Sequence, residues 1–181
     1  MERRSDLLKQ PYLLAGRVIN LHGFRGTLKL ESYCDSPSVL AKLPDLYLKR
    51  GESFEKKRVL HASVFRQFVL ADLEGISDET SANALRGVDV FAKREDLPLA
   101  PGAHFVVDLL GLPVKHADSG ALLGKIVDVE TRGGKELYTV ETPDGVFYLP
   151  AVKEFVVRID LDEGIFVRPI PGLLDDRGER V

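Results

Sequence analysis

His22, Arg25 and Lys29 fall in one short stretch of the run from Gly16 to Leu30, interleaved with Gly23, Phe24 and Gly26. Apolar Val18, Leu28 and Leu30 on either side have the spacing of half-buried strands, and two glycines three apart let the backbone take the positive φ at which a chain reverses. The run reads as a β-turn-β unit that carries His22, Arg25 and Lys29 on or beside an exposed loop, with Arg17 a further candidate whose facing the pattern leaves open. Such a placement suits a binding tip better than a catalytic pocket. An ordinary hairpin whose charges only solvate a surface has the same local pattern, because turns are polar for many reasons.

Other chemistry-bearing residues do not line up into a reaction centre. His22, His61, His104 and His116 are far apart, and none stands at the i, i+4 spacing with an acid that a helical zinc site requires. No Gly-x-Ser-x-Gly elbow and no Cys/His pairing marks a nucleophile, although spacing alone does not address a site assembled from distant positions. Arg132-Gly133-Gly134-Lys135 lacks the full spacing and the following Ser or Thr of a phosphate loop, so it reads as a connection between strands. The carboxylate pairs Asp175-Asp176 and Asp162-Glu163 lie in polar turns, where solvation accounts for them. The single cysteine, Cys34, can form neither an internal disulfide nor a thiolate metal site, and reads as a small hydrophobe in a strand. No metal and no cofactor is expected, and nothing in the spacing supports an enzyme.

The elements that must position the basic loop are short strands. Residues 12–19, 27–33, 45–49, 57–65 and 67–73 are rich in β-branched and aromatic residues and are separated by Gly, Pro or charge clusters, the pattern of a closed antiparallel barrel. One helix interrupts them, with Ser77 as N-cap, Asp78 and Glu79 in its first turn and Gly87 at its end; it is expected to cover an open barrel edge through Ala82, Leu85 and Val88. Two prolines between Lys93 and Gly102 stop any helix or central strand, which places a domain boundary there. Beyond it the β style resumes around Leu110, Val114 and residues 123–129. Thr142-Pro143-Asp144-Gly145 joins two further strands, a helical turn follows at 150–155, a last strand lies near 164–168, and a mobile polar tail is expected from Asp175. The expected fold class is therefore all-β with short helices: two small β-barrels, residues 10–95 and 101–176, joined by a short Pro-containing linker.

Charge narrows the partner. The 181 residues carry a net charge of −3, too acidic for a chain that coats nucleic acid nonspecifically. The halves differ: residues 1–100 hold 16 basic and 14 acidic side chains, residues 101–181 hold 9 and 14, and residues 1–30 alone hold 6 and 2. A basic head on an acidic second half suits a mixed partner such as ribonucleoprotein, with RNA for one end and a basic protein for the other. Met1-Glu2-Arg3-Arg4 is followed by no apolar segment of signal-peptide length, and no stretch reaches the length of a membrane span, so a cytoplasmic protein without membrane attachment is expected.

The pieces resemble a known family. His22-Gly23-Phe24-Arg25-Gly26, Leu73-Glu74-Gly75-Ile76, Leu85-Arg86-Gly87 and Lys93-Arg94-Glu95-Asp96-Leu97-Pro98 together resemble the N-terminal domain of the RimM ribosome maturation factors. Asp108-Leu109-Leu110-Gly111-Leu112, Leu123-Gly124-Lys125-Ile126-Val127, Leu149-Pro150-Ala151-Val152-Lys153-Glu154-Phe155-Val156, Ile159-Asp160-Leu161 and Pro171-Gly172-Leu173-Leu174-Asp175 are similar to the PRC barrel that closes RimM proteins. The resemblance spans residues 12–176 in family order. It implies a factor, expected to act as a monomer, that binds the head of the small ribosomal subunit. Its contacts there would be ribosomal protein S-nineteen and nearby 16S rRNA, and it would assist assembly and rRNA processing without catalysing a reaction. His22, Arg25 and Lys29 would then contact RNA or the ribosome. The family commonly carries two adjacent aromatics before the Asp-Leu-x-Gly segment; here those positions are His104 and Phe105, which the resemblance makes candidates for binding the ribosomal protein. One aromatic of the pair is missing, and Phe105 as a plain barrel-core residue is the alternative.

Overall fold

Alternation of buried and exposed side chains organises the first half of the chain. A computed structural model describes residues 10–132 and 134–168, apart from the side chain of Arg132. The opening residues, Gly133 and the tail from Asp175 lie outside the described residues, as do the expectations made for them. The described residues divide into two units, Gln10–Pro98 and those from Leu99 onward.

In the first unit, β1 (Tyr12–Leu21), β2 (Leu28–Ser32), β3 (Asp45–Arg50), β4 (Ser53–Phe65), β5 (Phe68–Leu73) and β6 (Asp89–Lys93) close a barrel in the order β1-β2-β5-β4-β3-β6. Every neighbouring pair is antiparallel. Period-two burial sends Leu28, Leu30, Val69 and Val90 fully inward, while their sequence neighbours are more exposed; Leu48 is fully buried as well, but next to a buried Tyr47. Burial of each such side chain stabilises the barrel by about 1.5–3 kcal/mol. Helix α1 (Pro37–Ala41) begins with Pro at its first turn, where the missing N–H costs nothing, and plugs the core with Leu40.

Two expectations are corrected here. The helix expected to start at Ser77 is α2 (Glu79–Asn83), and its N-cap is Asp78, whose carboxylate accepts from the Ser81 backbone N–H at 2.9 Å. Both residues are competent caps, but only Asp78 sits where its oxygen meets an orphan amide. Nor does α2 cover an open edge. Strand β6, which follows the expected helix end at Gly87 and is not among the expected strands, pairs with both β1 and β3 and leaves the barrel without one. Ala82 and Leu85 are buried and Val88 packs partly buried against the core, as expected.

The second unit is a six-stranded sheet in the order β10-β9-β8-β7-β12-β11. Its strands are β7 (Pro113–His116), β8 (Leu122–Arg132), β9 (Lys135–Thr142), β10 (Gly145–Pro150), β11 (Val156–Asp160) and β12 (Gly164–Val167). Leu149 from one end of that order and Val156 and Ile159 from the other join the same cluster as Tyr138, Val140 and Ile165, so the sheet curls around one core. Pro143-Asp144 forms the two-residue loop between Thr142 and Gly145, which face each other in the ladder. Leu110 is not in a strand: it follows the short helix α3 (Val106–Leu109), whose Leu109 is the buried residue. Residues 151–155 turn without forming a helix, held by Phe155 and Val156 N–H groups donating to the Val152 carbonyl at 3.0 and 2.8 Å.

Candidate functional site

The loop between β1 and β2 is rigid at its base and open at its tip. The His22 N–H donates to the Thr27 carbonyl at 2.8 Å, and the Thr27 hydroxyl donates to Asp72 Oδ1 at 2.6 Å, which ties the loop to β5. Gly23 and Gly26 take φ of 74° and 82°. At Gly26 a side chain is also excluded by space, since a Cβ would stand 2.8 Å from the Ile76 carbonyl oxygen. This buried glycine seats the loop on the segment leading to α2. Phe24, 85% exposed, and Arg25 project from the tip, with His22 exposed beside them.

Lys29 lies on the outer face of the barrel, opposite Asn20 on β1 and Leu70 on β5. Its ammonium sits 4.0 Å above the Phe68 ring. The His22 ring reaches to 5.9 Å from the Phe65 ring, and the Arg66 guanidinium stands 5.6 Å from that same ring. His22 and Lys29 are therefore brought to one aromatic face, made by the ends of β4 and β5. Sequence reasoning missed Phe65, Arg66 and Phe68. The available signal was Phe65-Arg66-Gln67-Phe68 itself, two aromatics flanking a two-residue turn.

His104 and Phe105 stand apart from this face in sequence and unit. Both are half-buried just before α3, where the Phe105 carbonyl accepts from the Asp108 N–H at 2.9 Å. Phe105 is not a member of the buried cluster of its unit. That unit also carries an open groove of about 440 Å³ lined by Gly111, Pro113, Leu122, Gly124 and Pro143, with the Lys125–Glu141 ion pair at 2.8 Å on its rim.

Ionisation is arranged for structure. Burial, and then Glu136, holds the Tyr138 phenol well above its ordinary range, and burial pushes the Cys34 thiol up, so neither offers an anion at neutral pH. Arg168 donates to both oxygens of Asp118, keeping that exposed carboxyl below the usual range. Among the described residues no group of three or more His, Cys, Asp or Glu side chains is placed to hold a metal ion. No described helix is long and apolar enough to cross a membrane.

Sequence comparison covers both units. The family model for the RimM N-terminal domain matches residues 13–97, and that for the RimM PRC barrel domain matches residues 106–173. The chain belongs to the RimM family. Among curated RimM proteins, the ribosome maturation factor of Symbiobacterium thermophilum is 35% identical over 179 residues, covering 97% of this chain and 98% of the relative. That of Geobacter metallireducens is 35% identical over 169 residues, covering 90% and 95%. The solution structure of the N-terminal domain of RimM from Thermus thermophilus is 26% identical, with a TM-score of 0.41, and covers 50% of this chain and 98% of that one. In this RimM chain the first matched segment carries the basic loop, whereas the His104-Phe105 pair falls between the two matched segments. His104 itself precedes the PRC match, and Phe105 adjoins it.

Proposed function

We propose that this chain is a ribosome maturation factor that binds the head of the small ribosomal subunit and assists its assembly and 16S rRNA processing without catalysis. Relatives that align over nearly their whole length are named ribosome maturation factors, which supports the general role. The observation that carries the binding mode is the open, basic loop of His22 and Arg25, with Lys29 beside it, mounted on a closed barrel. A rigid mount costs little ordering entropy when phosphate is met, and such contacts position a partner without reading its sequence. In this reading residues 10–95 contact RNA, while residues 101–176, through His104 and Phe105, contact ribosomal protein S-nineteen. The acidic excess of the second half supports a basic protein as its partner.

Assistance then follows from differential binding. A factor that prefers correctly docked RNA and protein stabilises that arrangement by its affinity difference, and leaves when mature contacts occupy the same surface. The test is a cross-linking map on immature small subunits. Cross-links from the 22–29 loop to head RNA and from positions 104 and 105 to a head protein are expected. Cross-links confined to the body of the subunit, or cleavage of precursor RNA by the purified chain with a divalent metal, would overturn the reading.

A further inference from the structure

The barrel carries two exterior aromatic groups, and they are finished differently. Tyr12, Tyr47, Phe54 and Phe91 pack ring on ring at 4.3–5.1 Å and bury Tyr47. Phe65 and Phe68 are instead covered by cations: Lys29 lies over Phe68, and Arg66 and the His22 ring flank Phe65, which stays 43% exposed. Arg17, Arg50, Lys56, Lys57 and Lys93 of the same unit each pair with a carboxylate. Arg25, Lys29 and Arg66 have no carboxylate partner among the described residues. The acids of β2 and β5 have other donors: Asp72 accepts from Thr27 at 2.6 Å, and Glu31, which stands opposite Phe68 in the ladder, accepts from the Tyr33 hydroxyl at 3.4 Å.

Arg66 adds a second observation. It is the first residue of the two-residue loop between β4 and β5 and has φ of 57°, the single non-glycine residue with positive φ among those described. Glycine or asparagine is the ordinary occupant of that left-handed position, so the chain keeps a charged side chain there against its local backbone preference.

We propose that the outer face of β2, β5 and β4, ending in Phe65 and Arg66, is a stacking platform for unpaired RNA nucleotides. This deepens the RNA-contacting role proposed for the first unit and rests on it. A cation resting on an exposed ring is held weakly, whereas a phosphate oxygen offers it a charge-assisted hydrogen bond. As RNA arrives, Lys29 and Arg66 move to phosphates and uncover Phe68 and Phe65 for bases to stack on. Flat rings with free cations beside them match a single strand, which offers π-faces and phosphates at alternating positions; a duplex keeps its bases stacked inside.

The experiment uses the full chain and a fluorescein-labelled uridine-rich oligoribonucleotide of roughly a dozen nucleotides, with the matching duplex as control. Phe65→Leu and Phe68→Leu are each expected to weaken single-strand binding on the order of tenfold, leaving the salt dependence unchanged. Lys29→Gln is expected to flatten the slope of log affinity against log salt by about 0.7. Arg66→Gly should bind more weakly while unfolding no earlier than the parent, because it relieves the left-handed strain; this variant keeps the test sound if a Phe substitution unfolds the barrel. The proposal is overturned if the leucine variants bind undiminished, if the duplex binds as well as the strand, or if the variants lose a subunit protein instead of RNA. Cosedimentation of the intact chain with immature subunits separates the two readings. Its persistence without oligonucleotide binding removes the platform alone, and its absence alongside platform-dependent oligonucleotide binding removes the maturation role alone.

Discussion

Phe105 is a single side chain on which two readings make opposite claims. It is half-buried before α3 and is not among the residues of the buried cluster of its unit. Phe105→Ala is expected to weaken binding to the isolated ribosomal protein by about 1–3 kcal/mol in calorimetry, as a truncated aromatic anchor does. A variant that folds normally and binds undiminished would assign the protein contact elsewhere. His104 beside it can still stack or donate a hydrogen bond, with less apolar area than the second aromatic common in the family. At the basic loop the same scale shows why spacing was informative. Gly23 and Gly26 mark the reversal, and charges placed on a tight reversal have nowhere to go but outward.

Elements were unevenly legible, for reasons that differ. β2 and β5 alternate cleanly and read from sequence, as did the Thr142–Gly145 turn. β6 has only five residues, with Asp, Ala and Lys among them, and its strand character comes from being clamped between β1 and β3. Helix α1 is one turn long, too short to show a period, and exists because Leu40 fills the core. Leu40→Ala is accordingly expected to destabilise the first unit by about 2–5 kcal/mol in denaturant unfolding. For α2 the cap is testable by pH. The Ser81 backbone and side chain, donating to Asp78, hold its carboxyl below the ordinary range. The native state thus favours the ionised form, and this contribution is present above the ordinary carboxylate pKa and is lost as pH falls through the lowered native value. Asp78→Ala should lower the unfolding midpoint at neutral pH, and the gap to the parent should close as the solution is acidified through that window. A gap that is constant with pH would show that the capping charge contributes nothing.

At the scale of the whole molecule the proposal requires two binding units on one chain. Two modest sites joined by a short linker gain from effective concentration, provided both can be engaged at once. Residues 10–95 and 101–176 produced as separate chains are therefore expected to bind immature subunits far more weakly than the intact chain, with the loss exceeding what either half shows alone. Halves that together match the intact chain in a competition assay would mean that a single interface suffices. The basic excess within the first thirty residues further predicts that added salt weakens the intact chain's binding.

Residue type and spacing alone were enough to specify an all-β chain with short helices, a proline-interrupted middle, a basic turn between strands and membership of a family, because period-two burial, turn chemistry and motif order are local and survive reading in one dimension. Closure of the barrel by β6, the parallel pairing of β12 with β7 and the meeting of Lys29 with Phe68 were decided only by tertiary structure. Each joins residues that local pattern does not connect, and their pairing is chosen by which arrangement buries the most apolar surface around one core.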